Sequence, residues 1–202
     1  FGCIPIRARA DAAPRAVRGE HGCERLQVAV ADVGGVHREV EAEDEVEDRE
    51  EALEILRHST SHLMALAVSD LFPEVHLGIG PPTGEGFYYD FAVSRPFTPE
   101  DLAAIELVMH DRIRKDYRFE LSEVTRAEAQ KLFADQPYKQ EIIAALTGDE
   151  RITICQHGVF LDLCRGRHVE STGKILNFKL LEVMSLMRNY LRKKKLNVLG
   201  MC

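Results

Sequence analysis

The alternation of hairpin patterns with amphipathic helices is the feature that most constrains the fold of this chain. The runs RITICQ and VFLDLC flank a His157-Gly158 turn, which is the pattern of a β-hairpin. A second strand–turn–strand pattern lies in HLGIGPPTGEGFYYDFAV, whose aromatic residues suit a half-buried sheet. Because helical segments separate these hairpins without regular βαβ alternation, we predict an α+β fold.

Helix boundaries follow from capping residues. Asp48 with Glu51, and Thr125 with Glu128, have the spacing of a capping box, and Thr98 precedes a proline at the first helical position. The predicted helices run over 48–73, 98–115, 125–137, 138–146 and 174–192. Before these helices, residues 1–25 are predicted to form a loop. LQVAVADV and VHREVEAEDEV are predicted to form two short strands around a glycine turn, and the second strand runs into an acidic stretch.

Composition excludes several classes of protein. The 202 residues are 45% hydrophobic and 29% charged with a net charge of −7, which is ordinary globular usage and argues against binding nucleic acid by bulk charge alone. No apolar run approaches the ~18 residues of a spanning helix, so we expect no membrane association. The five cysteines are scattered and no secretory signal precedes them, which favours reduced thiols and a cytoplasmic location.

Two histidine motifs carry the chemistry. His58 and His62 are four residues apart on a predicted helix, so both imidazoles lie on one face. Cys164 and His168 are four apart around Gly166, where the backbone can turn so that the two side chains converge. Together they form a set suited to tetrahedral zinc, although one histidine pair alone is more often polar packing. A metalloprotease is excluded because Ser59 occupies the place of the general base in HExxH.

Four segments in order resemble the editing domain of bacterial-type threonyl-tRNA synthetases. They are LRHSTSHLMALAVSDLF, IGPPTGEGFYYDF, PYKQEII and DLCRGRHVESTGKILNFKLL, and the resemblance covers roughly 51–181. The related alanyl-type domain shares both histidine motifs but has a Gly-Gly-Thr spacer where this chain has Arg165-Gly166-Arg167. The resemblance implies a two-layer editing fold that hydrolyses serine wrongly esterified to the acceptor end of tRNA(Thr).

The same resemblance implies the site residues. It assigns substrate binding to Tyr89 and catalytic roles to six further residues. These six are His58, His62, Lys139, Asp162, Cys164 and His168. A neutral histidine can take a proton from water, and a lysine ammonium can stabilise an oxyanion. Cys164 could instead be the nucleophile, but the nearby Asp162 would raise its pKa, so we prefer it as pocket lining or ligand. No cofactor is required; zinc is open, with His58, His62, Cys164 and His168 as candidate ligands.

Editing has an energetic reason. Serine and threonine differ by one methyl group, worth only ~1–3 kcal/mol in a binding pocket, which discriminates too poorly for translation. A second pocket that admits serine and excludes the methyl group of threonine supplies the rest.

The chain departs from the family at two places. Arg167 stands where the family usually has proline, which loosens the turn before His168, or supplies a phosphate contact. After Leu181 the sequence diverges and includes a basic run at 192–195, of which we expect Lys193, Lys194 and Lys195 to bind tRNA.

We expect three segments. Residues 1–47 form an N-terminal remnant of a small ubiquitin-like domain with an acidic linker, 48–181 the editing domain, and 182–202 a divergent basic helical tail. We expect a fragment or free-standing domain, with no ligase activity of its own and with the missing synthetase domains as a partner. Two alternatives remain: a structural zinc module and an inactive tRNA-binding remnant.

Overall fold

A computed structural model describes residues 22–29, 43–83, 86–147 and 151–186, and places them in two antiparallel sheets and four helices. The strands are β1 Gly22–Ala29, β2 His76–Leu77, β3 Gly86–Val93, β4 Glu120–Val124, β5 Ile152–His157, β6 Phe160–Leu163 and β7 Lys179–Leu186. The helices are α1 Glu43–Leu71, α2 Pro99–Arg114, α3 Arg126–Leu132 and α4 Pro137–Ala145, with one 3₁₀ turn at Thr172–Lys174. The α+β prediction is confirmed.

The larger sheet has the strand order β2-β3-β1-β7. Alternate residues of β3 contribute Phe87, Tyr89, Phe91 and Val93 to the main core, as the period of two in a strand requires. The middle of α1 supplies the facing layer, in which Leu63, Met64 and Leu66 are almost fully buried. The same core includes Phe160 of β6, so α1 lies between the larger sheet and the second hairpin.

The smaller sheet has the strand order β4-β5-β6, and the loop that follows β6 contains Cys164 and His168. Its β5–β6 hairpin turns at Gly158, whose φ of 57° lies in the left-handed region that glycine adopts without strain. A second core beneath it contains Ala129, Phe133, Ile143, Ile152 and Ile154. The sheet thereby fixes α4 and the end of β6 relative to each other.

Two of the three predicted caps are confirmed. The third is wrong: α1 begins at Glu43, so Asp48 and Glu51 lie inside the helix, because the acidic residues before Asp48 also favour a helix N-terminus. The hydroxyls of Thr98 and Thr125 each accept a hydrogen bond from the backbone N–H of the third helical residue, and the carboxylates of Asp101 and Glu128 accept one from the backbone N–H of the cap residue. Pro99 and Pro137 occupy first helical positions, where a missing N–H costs nothing. None of the helices in the part of the chain that the structure describes has the length and hydropathy needed to cross a membrane.

Three predictions at the ends of the domain are wrong. Residues 179–186 form strand β7 rather than helix: from Phe178 to Leu181 buried and exposed residues alternate, and β1 offers a backbone partner. Residues 22–25, predicted as loop, begin β1 for the same reason, since β3 and β7 flank them. Residues 43–46, predicted as strand, begin α1, where acidic side chains favour the helix N-terminus.

These strands cross the predicted segment boundaries. β1 comes from the expected N-terminal remnant, and β7 crosses the boundary at 181/182, so the larger sheet contains residues from all three predicted segments. The rest of the predicted tail, from residue 187, lies outside the described residues.

Candidate active site

The two histidines of α1 meet as their spacing predicts. Their Nε2 atoms are 3.2 Å apart, and the rings pack edge to face with centroids 4.9 Å apart. Nδ1 of His58 lies 3.2 Å from the carbonyl oxygen of Arg167. A carbonyl only accepts, so this contact places the proton of His58 on Nδ1 and leaves a lone pair on Nε2.

The loop after β6 brings the second motif onto the first. Sγ of Cys164 lies 3.0 Å from Nε2 of His168 and 3.6 Å from Nε2 of His58. His58 and His168 stack with ring centroids 4.4 Å apart. The approach requires glycine at 166, because a Cβ atom there would lie 2.3 Å from the His58 ring.

Ser59 is a functional residue that the sequence analysis used only to exclude a metalloprotease. Its hydroxyl donates to the carbonyl of Ile55 at 2.8 Å and accepts from the backbone N–H of Val169 at 2.9 Å. Its contact with Nδ1 of His168, at 3.2 Å, is therefore satisfied when that nitrogen carries the proton. The signal in the sequence is a small polar residue beside His58 on a buried helix face.

Burial keeps the four groups uncharged at neutral pH. Desolvation lowers the pKa of His58, lowers that of His62 well below its usual value, and lowers that of His168 to about 3. Desolvation likewise raises the pKa of the Cys164 thiol to about 12. The site therefore offers imidazole lone pairs and a protonated thiol.

The same four side chains fit a metal. One ligand atom from each of His58, His62, Cys164 and His168 lies within 4.8 Å of the other three. The Nδ1 atoms of His58 and His168 contact the Arg167 carbonyl and the Ser59 hydroxyl, so the Nε2 lone pairs of both rings point at the centre of the cluster. Hydrogen bonds of this kind orient the histidine ligands of zinc sites. Three imidazoles and one sulfur are a donor set that tetrahedral zinc accepts.

Beside the histidines lies a buried ion pair. Lys139 of α4 pairs with Asp162 of β6, and each side chain is 2% exposed. Tyr89 of β3 donates to Oδ2 of Asp162 at 2.5 Å, and the Lys139 ammonium lies 3.2 Å from the tyrosine oxygen. Burial and the adjacent carboxylate raise the pKa of Tyr89 well above its usual value. A buried pair with a third hydrogen-bonding partner holds its charges in one fixed arrangement.

The two clusters adjoin each other through Asp162. Its Oδ2 lies 3.8 Å from Nδ1 of His62, beyond hydrogen-bonding range. The structure thus brings together all six predicted catalytic residues and Tyr89. Arg167 lies outside this group: its side chain is 72% exposed and pairs with Glu51. The predicted tRNA-binding residues Lys193, Lys194 and Lys195 lie outside the described residues.

Comparison with known proteins shows similarity to aminoacyl-tRNA synthetases. Residues 152–195 match the family described as the threonyl and alanyl tRNA synthetase second additional domain. The threonine–tRNA ligase of Cupriavidus necator is 50% identical over 135 residues, which is 66% of this chain and 21% of the relative. The chain is therefore similar to threonyl-tRNA synthetases over about two thirds of its own length, and its residues 152–195 match their second additional domain.

Two further relatives agree. The threonine–tRNA ligase of Staphylococcus saprophyticus is 47% identical over 148 residues, or 71% of this chain and 23% of that protein. The ligase of Dehalococcoides mccartyi is 50% identical over 131 residues, or 65% and 22%. The chain therefore spans between a fifth and a quarter of the length of these relatives. The matched residues 152–195 include the whole β5–β6 hairpin and the Cys164–His168 motif.

Proposed function

We propose that this second additional domain hydrolyses the ester bond between serine and the acceptor end of tRNA(Thr), in the cytoplasm and as part of a threonyl-tRNA synthetase system. The observation that carries the proposal is the buried Lys139 ammonium, held by Asp162 and Tyr89 beside a cluster of neutral imidazoles. The threonine–tRNA ligase relatives support tRNA(Thr) as the partner.

The hydrolytic step needs a base and a positive charge. A water oxygen attacks the ester carbonyl carbon while His58 Nε2 takes a water proton. His58 is suited to this role because its Nδ1–H donates to the Arg167 carbonyl, so the lone pair is on Nε2. Its side chain is also only partly buried. The C–O bond to the ribose then breaks, the ribose oxygen receives the proton, and free serine leaves.

Lys139 stabilises the charge that develops on the carbonyl oxygen. An ammonium has three N–H donors, and the contacts with Asp162 and Tyr89 use two of them. The third is available to an oxyanion, in a buried place where an electrostatic contact is much stronger than in water. Asp162 and Tyr89 fix the position of the ammonium before substrate binds.

A water nucleophile is favoured over Cys164. With a thiol pKa of about 12, the reactive thiolate is scarce at neutral pH. The thiol faces the Nε2 atoms of His58 and His168, so it lines the pocket.

The decisive experiment compares two esters. The purified chain is incubated with Ser-tRNA(Thr) and Thr-tRNA(Thr), and release of each amino acid is followed. We expect hydrolysis of the seryl ester and survival of the threonyl ester. Equal rates on both esters contradict the proposed specificity, and tRNA binding without hydrolysis identifies an inactive remnant.

A zinc-binding module is a second candidate, favoured by the four convergent ligand atoms. Bound zinc would be held by His58, His62, Cys164 and His168 and would supply Lewis-acid chemistry there. Stoichiometric zinc that survives dialysis, in a chain without deacylase activity, establishes this candidate. Metal analysis of the wild type and of Cys164→Ala separates specific from incidental zinc.

The basic run Lys193–Lys195 is proposed to contact tRNA phosphates away from the hydrolytic pocket. With a net charge of −7, the chain has few other sources of attraction for a polyanion. Replacing the three lysines by alanine should weaken binding and flatten its salt dependence, with little change in the rate at saturating tRNA. Lys131→Ala, on the exposed face of α3, is the control.

A further inference from the structure

His157 is a buried imidazole that the proposed chemistry does not use. It ends β5, is 1% exposed, and packs against Phe119 and Phe160 with ring centroids 4.6 and 5.1 Å away. Neither ring nitrogen has a hydrogen-bond partner among the described residues. Burying an unpaired polar group costs about 1–3 kcal/mol, a cost that phenylalanine would avoid. A histidine here therefore calls for a polar partner.

Two other buried polar groups lie near His157. Nδ1 of His62 is also buried and unpartnered among the described residues, and it lies 3.8 Å from Oδ2 of Asp162. That distance is too long for a direct hydrogen bond, so the contact is one that a water molecule beside both atoms can mediate. The His62 and His157 ring centroids are 6.5 Å apart. One oxygen at hydrogen-bond distance from both rings would place their nitrogens ~4.6 Å apart, which fits that separation.

The hairpin register puts His157 and Asp162 on the same side. Residues paired across an antiparallel ladder share a face; Cys155 pairs with Asp162, and His157 pairs with Phe160. All four side chains are buried, and Phe160 contacts the His62 ring edge to face. This face of the hairpin therefore packs towards α1 at His62.

We propose that His157, His62 Nδ1 and Asp162 Oδ2 hold one buried water molecule, and that His157 is a positioning residue for His62. Three polar partners are the usual number for a buried water. A water molecule has two protons to donate, so its three partners together fix which ring nitrogen of His62 carries the proton. Nε2 of His62, 3.2 Å from Nε2 of His58, then faces the reacting centre in one form.

The test uses two substitutions and a matched control. His157→Phe keeps a ring without polar atoms, and His157→Gln restores a polar group. His110→Phe changes an exposed histidine that also packs on a phenylalanine, Phe178. Nitrogen-15 NMR of the histidine rings reports which nitrogen of His62 carries the proton. We expect a single tautomer of His62 in wild type, His157→Gln and His110→Phe, and a mixture of both tautomers in His157→Phe.

Kinetics and crystallography complete the test. The kinetic arm rests on the proposed function: kcat for Ser-tRNA(Thr) should fall about tenfold in His157→Phe with KM unchanged, because His62 loses its alignment, and should recover in His157→Gln. A crystal structure should show an ordered water within ~3.2 Å of all three groups. An unchanged His62 tautomer in His157→Phe, or a structure without that water, overturns the inference. If the wild type lacks deacylase activity, the proposed function fails. The NMR and crystallographic measurements still test the buried water and the positioning role of His157.

Discussion

Gly166 lies against the face of His58 so closely that a Cβ atom at position 166 would be 2.3 Å from both Nδ1 and Cε1 of the imidazole. The next residue in the loop, Arg167, accepts the hydrogen bond from His58 Nδ1 through its carbonyl. The position of the proposed base therefore depends on the backbone of the loop that also carries Cys164 and His168.

We expect Gly166→Ala to lower the rate of Ser-tRNA(Thr) hydrolysis by about 10²-fold, because displacing a catalytic group by about 1 Å costs that much. Gly173→Ala is a matched control: its Cβ would also meet an atom at 2.3 Å, but that atom is the exposed carboxylate of Asp116. Single-turnover deacylation checks this, with thermal melting to show that both variants fold. Equal rates in the two variants contradict it.

Removing the buried cation should affect stability and rate separately. Lys139→Met leaves Asp162 as an uncompensated buried charge, so the free energy of unfolding should fall by about 3–5 kcal/mol. The rate should fall about 10²–10⁴-fold. Adding Asp162→Asn should restore stability, measured by urea unfolding, without restoring the rate. Recovery of activity in the double variant would show that Lys139 serves only to neutralise Asp162.

Cys164→Ala should retain deacylation within about threefold, because a thiol with a pKa of about 12 contributes no nucleophile at neutral pH. Among the described residues a second buried free cysteine, Cys155, provides the control variant Cys155→Ala. The measurement is the initial rate at saturating Ser-tRNA(Thr). Loss of activity in Cys164→Ala alone, with trapping of a seryl thioester in the wild type, would reverse the assignment.

His157 should make the domain less stable in acid. Desolvation lowers its pKa in the folded state from 6.5 to about 4. The unfolded chain therefore takes up this proton first as the pH falls, and the folded state loses stability between pH 6.5 and 4. The full shift corresponds to about 3 kcal/mol. Urea unfolding should show a smaller loss over this range in His157→Phe than in wild type, and identical slopes would contradict the assignment.

Chelation should leave deacylation unchanged. The proposed step uses only a neutral histidine and a lysine, and the four convergent ligand atoms can be satisfied by contacts with one another. The rate is measured after dialysis against EDTA and again after zinc is added back. Loss of activity that zinc restores would make the metal part of the site.

The local features of this fold were predictable from the sequence. The helix starts at Thr98 and Thr125 and the turn at Gly158 are set by residues three or four apart, so the chain signals them directly. β7 was mistaken for a helix because a short apolar run fits both periodicities, and only its pairing with the distant β1 decides between them.

The site likewise has one part that local sequence spacing predicts and another that it does not. The His58–His62 pair follows from helical spacing, whereas Lys139, Asp162 and Tyr89 come from three separate elements and were connected only by the family resemblance. His157 was predicted only as part of the turn. Its importance depends on what faces it across the hairpin and from α1, and no local pattern encodes that.

The strand order of the larger sheet has a consequence for synthesis of the protein. β1 is made first, yet it lies between β3 and β7, which are completed about 60 and 160 residues later. As the chain emerges from the ribosome, the backbone N–H and C=O groups along one edge of β1 stay unpaired until β7 has been synthesised. Such distant pairing slows folding and leaves a strand edge exposed in the meantime. Nascent chains stalled before residue 179 should therefore engage chaperones, and release should coincide with the emergence of β7.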